Sequence, residues 1–147
     1  MALTKVTSNV LNDNAVTTTK IVDLNVTTPK IAGDSITNEK AGAEFTTASA
    51  LTMASPVALD YTAAQVFTLT PNANMTINIT NPVIGVSKVI VITGGGGSSA
   101  LAFNVGGAVG TFNKISGTYD DTASTKNFIQ ITCVSNTEFW YSISQIG

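Results

Sequence analysis

Two adjacent carboxylates, Asp120 and Asp121, are the acidic pair that could serve acid–base chemistry or bind a hard cation. Paired catalytic carboxyl groups must face each other across a substrate, and neighbours in a polar segment usually do not. The surrounding residues 116–126 are mostly polar and rich in Ser and Thr. We therefore expect a solvated loop here, with a weak calcium site as the alternative.

A glycine run at residues 94–97, followed by Ser98 and Ser99, has the composition of a phosphate-binding loop. Such loops continue with Gly-Lys-Ser or Gly-Lys-Thr and open a helix, and neither feature follows here. The pattern instead favours a flexible loop between strands.

Nucleophilic catalysis by Ser or Thr usually needs a neighbouring base, and the sequence contains no His. A Ser–Lys pair is the remaining arrangement, and no spacing indicates one. The single Cys133 lies in an apolar run, residues 128–134, which is typical of a small buried side chain. We therefore predict a protein that is not an enzyme, with no cofactor and no metal centre.

Trp140 and Tyr141 form an aromatic pair that could stack on a sugar ring. In a strand the two side chains point to opposite faces, so at most one is exposed. Core packing or subunit contact is the favoured interpretation. Together with the acidic pair, these residues are the candidate ligand contacts: Trp140, Tyr141, Asp120 and Asp121.

Charged residues make up 11% of the chain, all basic residues are Lys, and the net charge is −2. Because no basic face could neutralise a run of phosphates, nucleic acid is not expected as a partner. The longest strongly apolar run, residues 89–92, is far too short for a membrane span. The first residues lack the apolar stretch of a signal peptide, so we expect synthesis in the cytoplasm without cleaved export.

The first third of the sequence contains a ten-residue repeat. Asp13 opens one copy, Asp23 opens the next, and a looser copy includes Asp34. Three columns recur at a spacing of ten: Val16, Val26 and Ile36; Thr17, Thr27 and Thr37; Lys20, Lys30 and Lys40. A disordered Thr-rich leader is the alternative, but it gives no reason for columns in register.

Apolar residues within the repeat recur every five positions, at Val16, Ile21, Val26, Ile31 and Ile36. Neither a helix nor a strand has that period, whereas an extended segment alternating with one helical turn would produce it. One apolar residue in five cannot form a core within a single chain. The row therefore predicts a parallel homo-oligomer with these side chains on its axis.

Beyond residue 55 the sequence predicts about eight strands with turn residues between them. They cover residues 57–59, 65–70, 75–80, 88–93, 101–105, 111–115, 127–134 and 138–146. Residues 71–74 and 135–137 are expected to be hairpin turns. The predicted fold is mostly β: a repeat stem (1–42), a junction (43–54) and an antiparallel, jelly-roll-like β-sandwich (55–147).

The repeats Val16-Thr-Thr-Thr-Lys-Ile21 and Val26-Thr-Thr-Pro-Lys-Ile31 resemble the stem repeats of bacteriophage tail-fibre and head-fibre proteins. Residues 67–82, which end at Asn81-Pro82, resemble a small β-domain common in phage tail proteins, and residues 128–132 and 137–141 fit its end. The chain departs from that domain at residues 100–110, which are Gly-rich where a Trp-containing stretch is common. The resemblance implies a homotrimeric virion component.

From these features we expect a structural fibre whose N-terminal segment attaches to other virion proteins while the β-domain projects outward. A receptor-binding module that recognises a host surface glycan or protein is the second hypothesis. A cellular adhesin is the third, and the missing export signal counts against it.

Overall fold

Short β-strands account for about half of the backbone that the structure describes. The computed structural model describes residues 41–146, except for the side chains of residues 43 and 44. It contains a single-turn helix α1 (Ala43–Thr46) and the strands β1 (Ala48–Ala50), β2 (Val57–Asp60), β3 (Val66–Leu69), β4 (Met75–Thr80), β5 (Ser87–Thr93), β6 (Leu101–Val105), β7 (Thr111–Ser116), β8 (Lys126–Ser135) and β9 (Glu138–Ile146). The repeats and the stem candidates Val16, Ile21, Val26, Ile31 and Ile36 lie outside the described residues.

From β1 to β6 the chain alternates between two sheets. The six-stranded sheet has the order β1-β3-β5-β8-β9-β7, and the three-stranded sheet has the order β2-β4-β6. Each of β3, β4, β5 and β6 lies parallel to the strand two steps earlier in the chain. The chain therefore winds through successive coils in a β-solenoid-like arrangement, in which each coil contributes one strand to each sheet.

The mostly-β prediction is confirmed, but the prediction of an antiparallel sheet arrangement is wrong. Five of the seven strand pairings are parallel, and only β5–β8 and β8–β9 are antiparallel. Residues 71–74 do not form a hairpin turn, because they lead from β3 in one sheet to β4 in the other. The hairpin at residues 135–137 is confirmed, since β8 and β9 pair from Lys126↔Ile146 to Ser135↔Glu138.

All eight expected strands are present, and their alternation sets which side chains are buried. Along β4 the buried side chains of Met75, Ile77 and Ile79 alternate with partly exposed ones, as predicted. β1 was not predicted, because its sequence Ala-Ser-Ala in the junction has no hydrophobic pattern. It nonetheless pairs with β3 along its whole length, from Ala48↔Val66 to Ala50↔Thr68.

The core joins aliphatic side chains of both sheets and is closed by aromatic rings. Tyr61 is fully buried, and its hydroxyl donates a hydrogen bond to the carbonyl oxygen of Ile131 at 3.0 Å. Phe139 stacks on Phe112 with ring centroids 5.1 Å apart. Cys133 is fully buried, as its apolar surroundings predicted, and burial raises the pKa of its thiol. These contacts pack the last strands against the rest of the core.

Candidate functional site

The four candidate ligand residues lie in two separate places. Asp120 and Asp121 lie in the segment between β7 and β8, beside the glycine run at residues 94–97. Trp140 and Tyr141 lie in β9. The four candidates therefore do not form one site.

Asp121 is a buried carboxylate, 8% exposed, that binds the glycine-rich loop. Its Oδ1 accepts hydrogen bonds from the backbone N–H of Gly95 at 2.9 Å and from the Tyr119 hydroxyl at 2.8 Å. Its Oδ2 accepts from the backbone N–H of Gly97 at 3.1 Å and of Ser99 at 2.7 Å. We call these five residues the Asp121 clamp. The Ser99 and Gly95 amides, which donate to the charged form, hold the pKa of Asp121 well below its usual range.

Glycine is required where this loop passes other backbone. A Cβ on Gly94 would overlap the carbonyl oxygen of Thr122, and a Cβ on Gly95 would overlap that of Pro71. The loop expected between strands is present, and the Asp121 clamp binds its backbone at Gly95, Gly97 and Ser99. The backbone amides that could bind a phosphate already bind the protein's own carboxylate.

Asp120 has a different environment from its neighbour. Its Oδ1 accepts a hydrogen bond from the backbone N–H of Thr122 at 2.8 Å, which is the geometry of an Asx turn. Both carboxylates line an open pocket of about 400 Å³ with Gly96, Ser98, Thr122 and Ala123. Both oxygens of Asp121 already accept N–H or O–H donors, which leaves Asp120 as the carboxylate that faces solvent. Within residues 41–146 no three His, Cys, Asp or Glu side chains are grouped for a metal ion.

Asn127 binds the backbone of this segment, a role that no sequence pattern indicates. Its side chain is fully buried at the start of β8. Its Oδ1 accepts the backbone N–H of Asp120 at 2.8 Å, and its Nδ2 donates to the carbonyl oxygen of the same residue at 2.7 Å. A polar residue beginning a strand looked like an ordinary surface position, so only the fold shows its role.

The Asp121 clamp predicts a loss of stability in acid. Because the pKa of Asp121 is lowered on folding from the ordinary 3.8, its contribution is complete above that value and is lost as the pH falls through the folded pKa. Denaturant unfolding between pH 7 and pH 2 should therefore show a free energy of unfolding that declines below about pH 4. In Asp121→Asn this decline should be shallower. If the free energy of unfolding falls equally with pH in the two proteins, Asp121 is not responsible for the loss of stability in acid.

Trp140 is the exposed member of the aromatic pair, at 49% exposure. Its indole N–H donates a hydrogen bond to Oε1 of Glu138 at 2.9 Å, and the Asn113 side-chain amide donates to the same oxygen at 2.9 Å. Asn113 on β7 and Thr132 on β8 are the register partners of Trp140. The ring therefore lies on the outer face of the six-stranded sheet, with polar side chains on both sides.

Tyr141 points to the opposite face, as strand alternation predicted. It packs on Phe103 of β6, with ring centroids 5.1 Å apart, and belongs to the periphery of the core. Burial raises the pKa of its hydroxyl. Tyr141 is thus part of the packing behind β9, and only Trp140 of the pair offers a ring to solvent.

Lys88 is a fully buried cation that the sequence pattern placed in an apolar strand. Its Nζ lies 5.5 Å from the centroid of the Phe45 ring and 5.6 Å from that of Tyr61, which are cation–π distances. The Phe45 ring of α1 and the Tyr61 ring of the core thus lie close to the Lys88 side chain of β5.

Among the described residues no helix is both long and apolar enough to cross a membrane. Comparisons of the chain with protein-family models, with curated proteins and with solved structures found no match.

Proposed function

We propose that this chain is a structural virion protein of a bacteriophage, a homotrimeric fibre or spike projecting from the particle. The observation that carries the proposal is the ten-residue repeat with its apolar row every five positions, which precedes a β-domain. A row that cannot be buried within one chain requires neighbouring copies. The N-terminal segment then attaches to other virion proteins, and the β-domain is distal. The chain is made in the host cytoplasm and functions on the virion.

The outer face of the six-stranded sheet supports contact between copies in the β-domain as well. Val66, Val89 and Val91 are only half-buried there, and the neighbouring Phe128 is 43% exposed. The strand register aligns them, with Val66 beside Val89 and Val91 beside Phe128. A contiguous apolar face of this kind is typical of an interaction surface. In this proposal the part of the face on β3 and β5 packs against the other subunits, and the end of the sheet formed by β9 and β7 stays open.

The proposed role is mechanical. Continuous backbone ladders join β1, β3, β5, β8, β9 and β7 across one sheet, so a force applied at either end is shared by many hydrogen bonds. The buried side chains of β5 and β8, including Ile90 and Ile129, belong to the shared core. They therefore join the antiparallel part of this sheet to the parallel coils. Such a domain suits a rigid projection better than a hinged one.

Light scattering of the purified full chain tests the proposal directly. The expected mass is three times the 15.1 kDa of a single chain, unchanged on dilution to micromolar concentration. A monodisperse monomer would overturn the trimer. Antibody labelling of intact particles by electron microscopy then asks whether the protein is on the virion, and whether it is on the head or the tail.

A receptor-binding module for a host surface glycan or protein is the second candidate function. The observation that favours it is the half-exposed Trp140 ring on a distal domain. Purified full chain added in excess should then compete with infection, whereas a purely structural fibre should leave infection unchanged.

A further inference from the structure

The indole of Trp140 is held in one orientation by its own strand. Glu138 lies two residues earlier on the same face of β9, and its Oε1 accepts the indole N–H at 2.9 Å. The same oxygen accepts the Asn113 amide at 2.9 Å, which ties Glu138 to β7. With its N–H already bonded, the half-exposed ring offers the rest of its apolar surface to a ligand. Such a surface can stack on a flat ligand.

The sheet beneath the ring is rigid. On the opposite face of β9, the fully buried Phe139 stacks on Phe112 with an interplanar angle of 8°, and Phe112 stacks on Phe103 at 5.3 Å. β9 pairs with β8 on one side and with β7 on the other. Binding groups on paired strands are held more precisely than groups on loops.

Hydroxyl and amide groups surround the ring. Thr132, a register partner of Trp140, forms a 2.6 Å hydrogen bond between its hydroxyl and that of Ser87 on β5. Ser142 follows Trp140 on the same face of β9, and its register partner on β8 is the exposed Gln130. An aromatic face bordered by short polar side chains matches a ligand that has an apolar face and a rim of hydroxyl groups. A pyranose ring has both.

We propose that Trp140, Glu138 and Asn113 form a binding platform for a neutral hexopyranoside, with the sugar stacked on the indole. We call these three residues the Trp140 platform. The Glu138 carboxylate accepts hydrogen bonds from sugar hydroxyls at the edge of the ring, and the polar side chains of β8 bind the rest of the rim. The same carboxylate repels anionic sugars, which disfavours them as ligands. This site rests on the second candidate function, for which it names the ligand class, and it does not depend on a trimer.

The platform can be observed directly, because Trp140 is the single Trp of the chain. The fluorescence of the full chain is titrated with methyl glucosides, methyl galactosides, N-acetylglucosamine and their linear trisaccharides, up to about 20 mM, a range that detects millimolar dissociation constants. At least one neutral saccharide should shift the emission and protect the ring from acrylamide. Sialic acid and glucuronic acid should have no effect at the same concentrations.

Calorimetry with the best saccharide identifies the residues that bind it. Trp140→Ala should weaken binding at least about tenfold, since a buried Trp contact is typically a dominant one. Asn113→Ala and Glu138→Gln should weaken it less, because the stacking face remains. Ile146→Ala is the matched control, an exposed apolar side chain at the other end of the same strand face, and should bind like the unaltered protein.

Three results would overturn the platform. The first is unchanged fluorescence with every saccharide, and the second is unaltered binding by Trp140→Ala. The third is a ring that acrylamide cannot reach in the absence of sugar, because a second copy would then cover it. Light scattering of the same samples tests the fibre proposal separately. A trimer that binds no sugar would overturn the platform alone, and a monomer that binds sugar would overturn the trimer alone.

Discussion

Replacing Asp121 with Asn is expected to lower the free energy of unfolding by about 3 kcal/mol, the largest single-residue effect outside the hydrophobic core. Asn keeps the shape of the side chain but places an NH2 group where an oxygen now accepts donors. The carboxylate binds three backbone N–H groups and the Tyr119 hydroxyl. Loss of the acceptor at Oδ2 would leave the amides of Gly97 and Ser99 facing another donor. Urea unfolding followed by circular dichroism measures the change.

Asp120→Asn is the matched control for this prediction. It alters the adjacent residue of the same loop and removes the same charge from the chain. Its side chain accepts hydrogen bonds only locally, from the backbone N–H and the side chain of Thr122, so the midpoint of unfolding should move much less. If the two variants unfold at the same denaturant concentration, net charge and not the Asp121 clamp determines the stability of this region.

Strand positions could be predicted from the sequence because alternation is a local property. The pattern Met75, Ile77 and Ile79 indicates a strand with one buried face whatever lies beside it. Strand direction depends instead on whether a connection turns back within a sheet or crosses to the other one. The residues at 71–74, Pro-Asn-Ala-Asn, suit both, so the parallel coils were not predictable from turn composition.

The candidate sites, too, were predictable where local alternation decides the outcome and unpredictable where long-range contacts do. That only one of Trp140 and Tyr141 is exposed followed from alternation in β9. The role of Asp121 did not follow, because its amide partners lie 22 to 26 residues earlier in the chain. The burial of Lys88 was equally hidden, since its cation–π partners Phe45 and Tyr61 belong to other elements. Residue types identify what could bind, and long-range contacts decide which groups are already occupied.

Substituting Asp for both Val26 and Ile31 is expected to convert the proposed trimer into monomers. These positions belong to the apolar row that recurs every five residues in the repeats. Burying an aliphatic side chain stabilises an assembly by about 1.5–3 kcal/mol relative to leaving it exposed. Each of the three copies would lose two such side chains. Two rings of three carboxylates near a common axis would also repel one another across a short distance. Light scattering should then give the mass of one 15.1 kDa chain.

Thr17→Asp combined with Thr27→Asp is the matched control, because it adds the same charge to the same repeats in a column outside the apolar row. This variant should keep the trimer mass. Circular dichroism of the apolar-row variant should retain the β signal of residues 41–146, since the core described there is formed by side chains between Val57 and Ile143. If that variant remains trimeric, the apolar row does not hold the copies together. The outer sheet face at Val91 and Phe128 then becomes the contact to alter, because it would be the remaining apolar surface proposed to join the subunits.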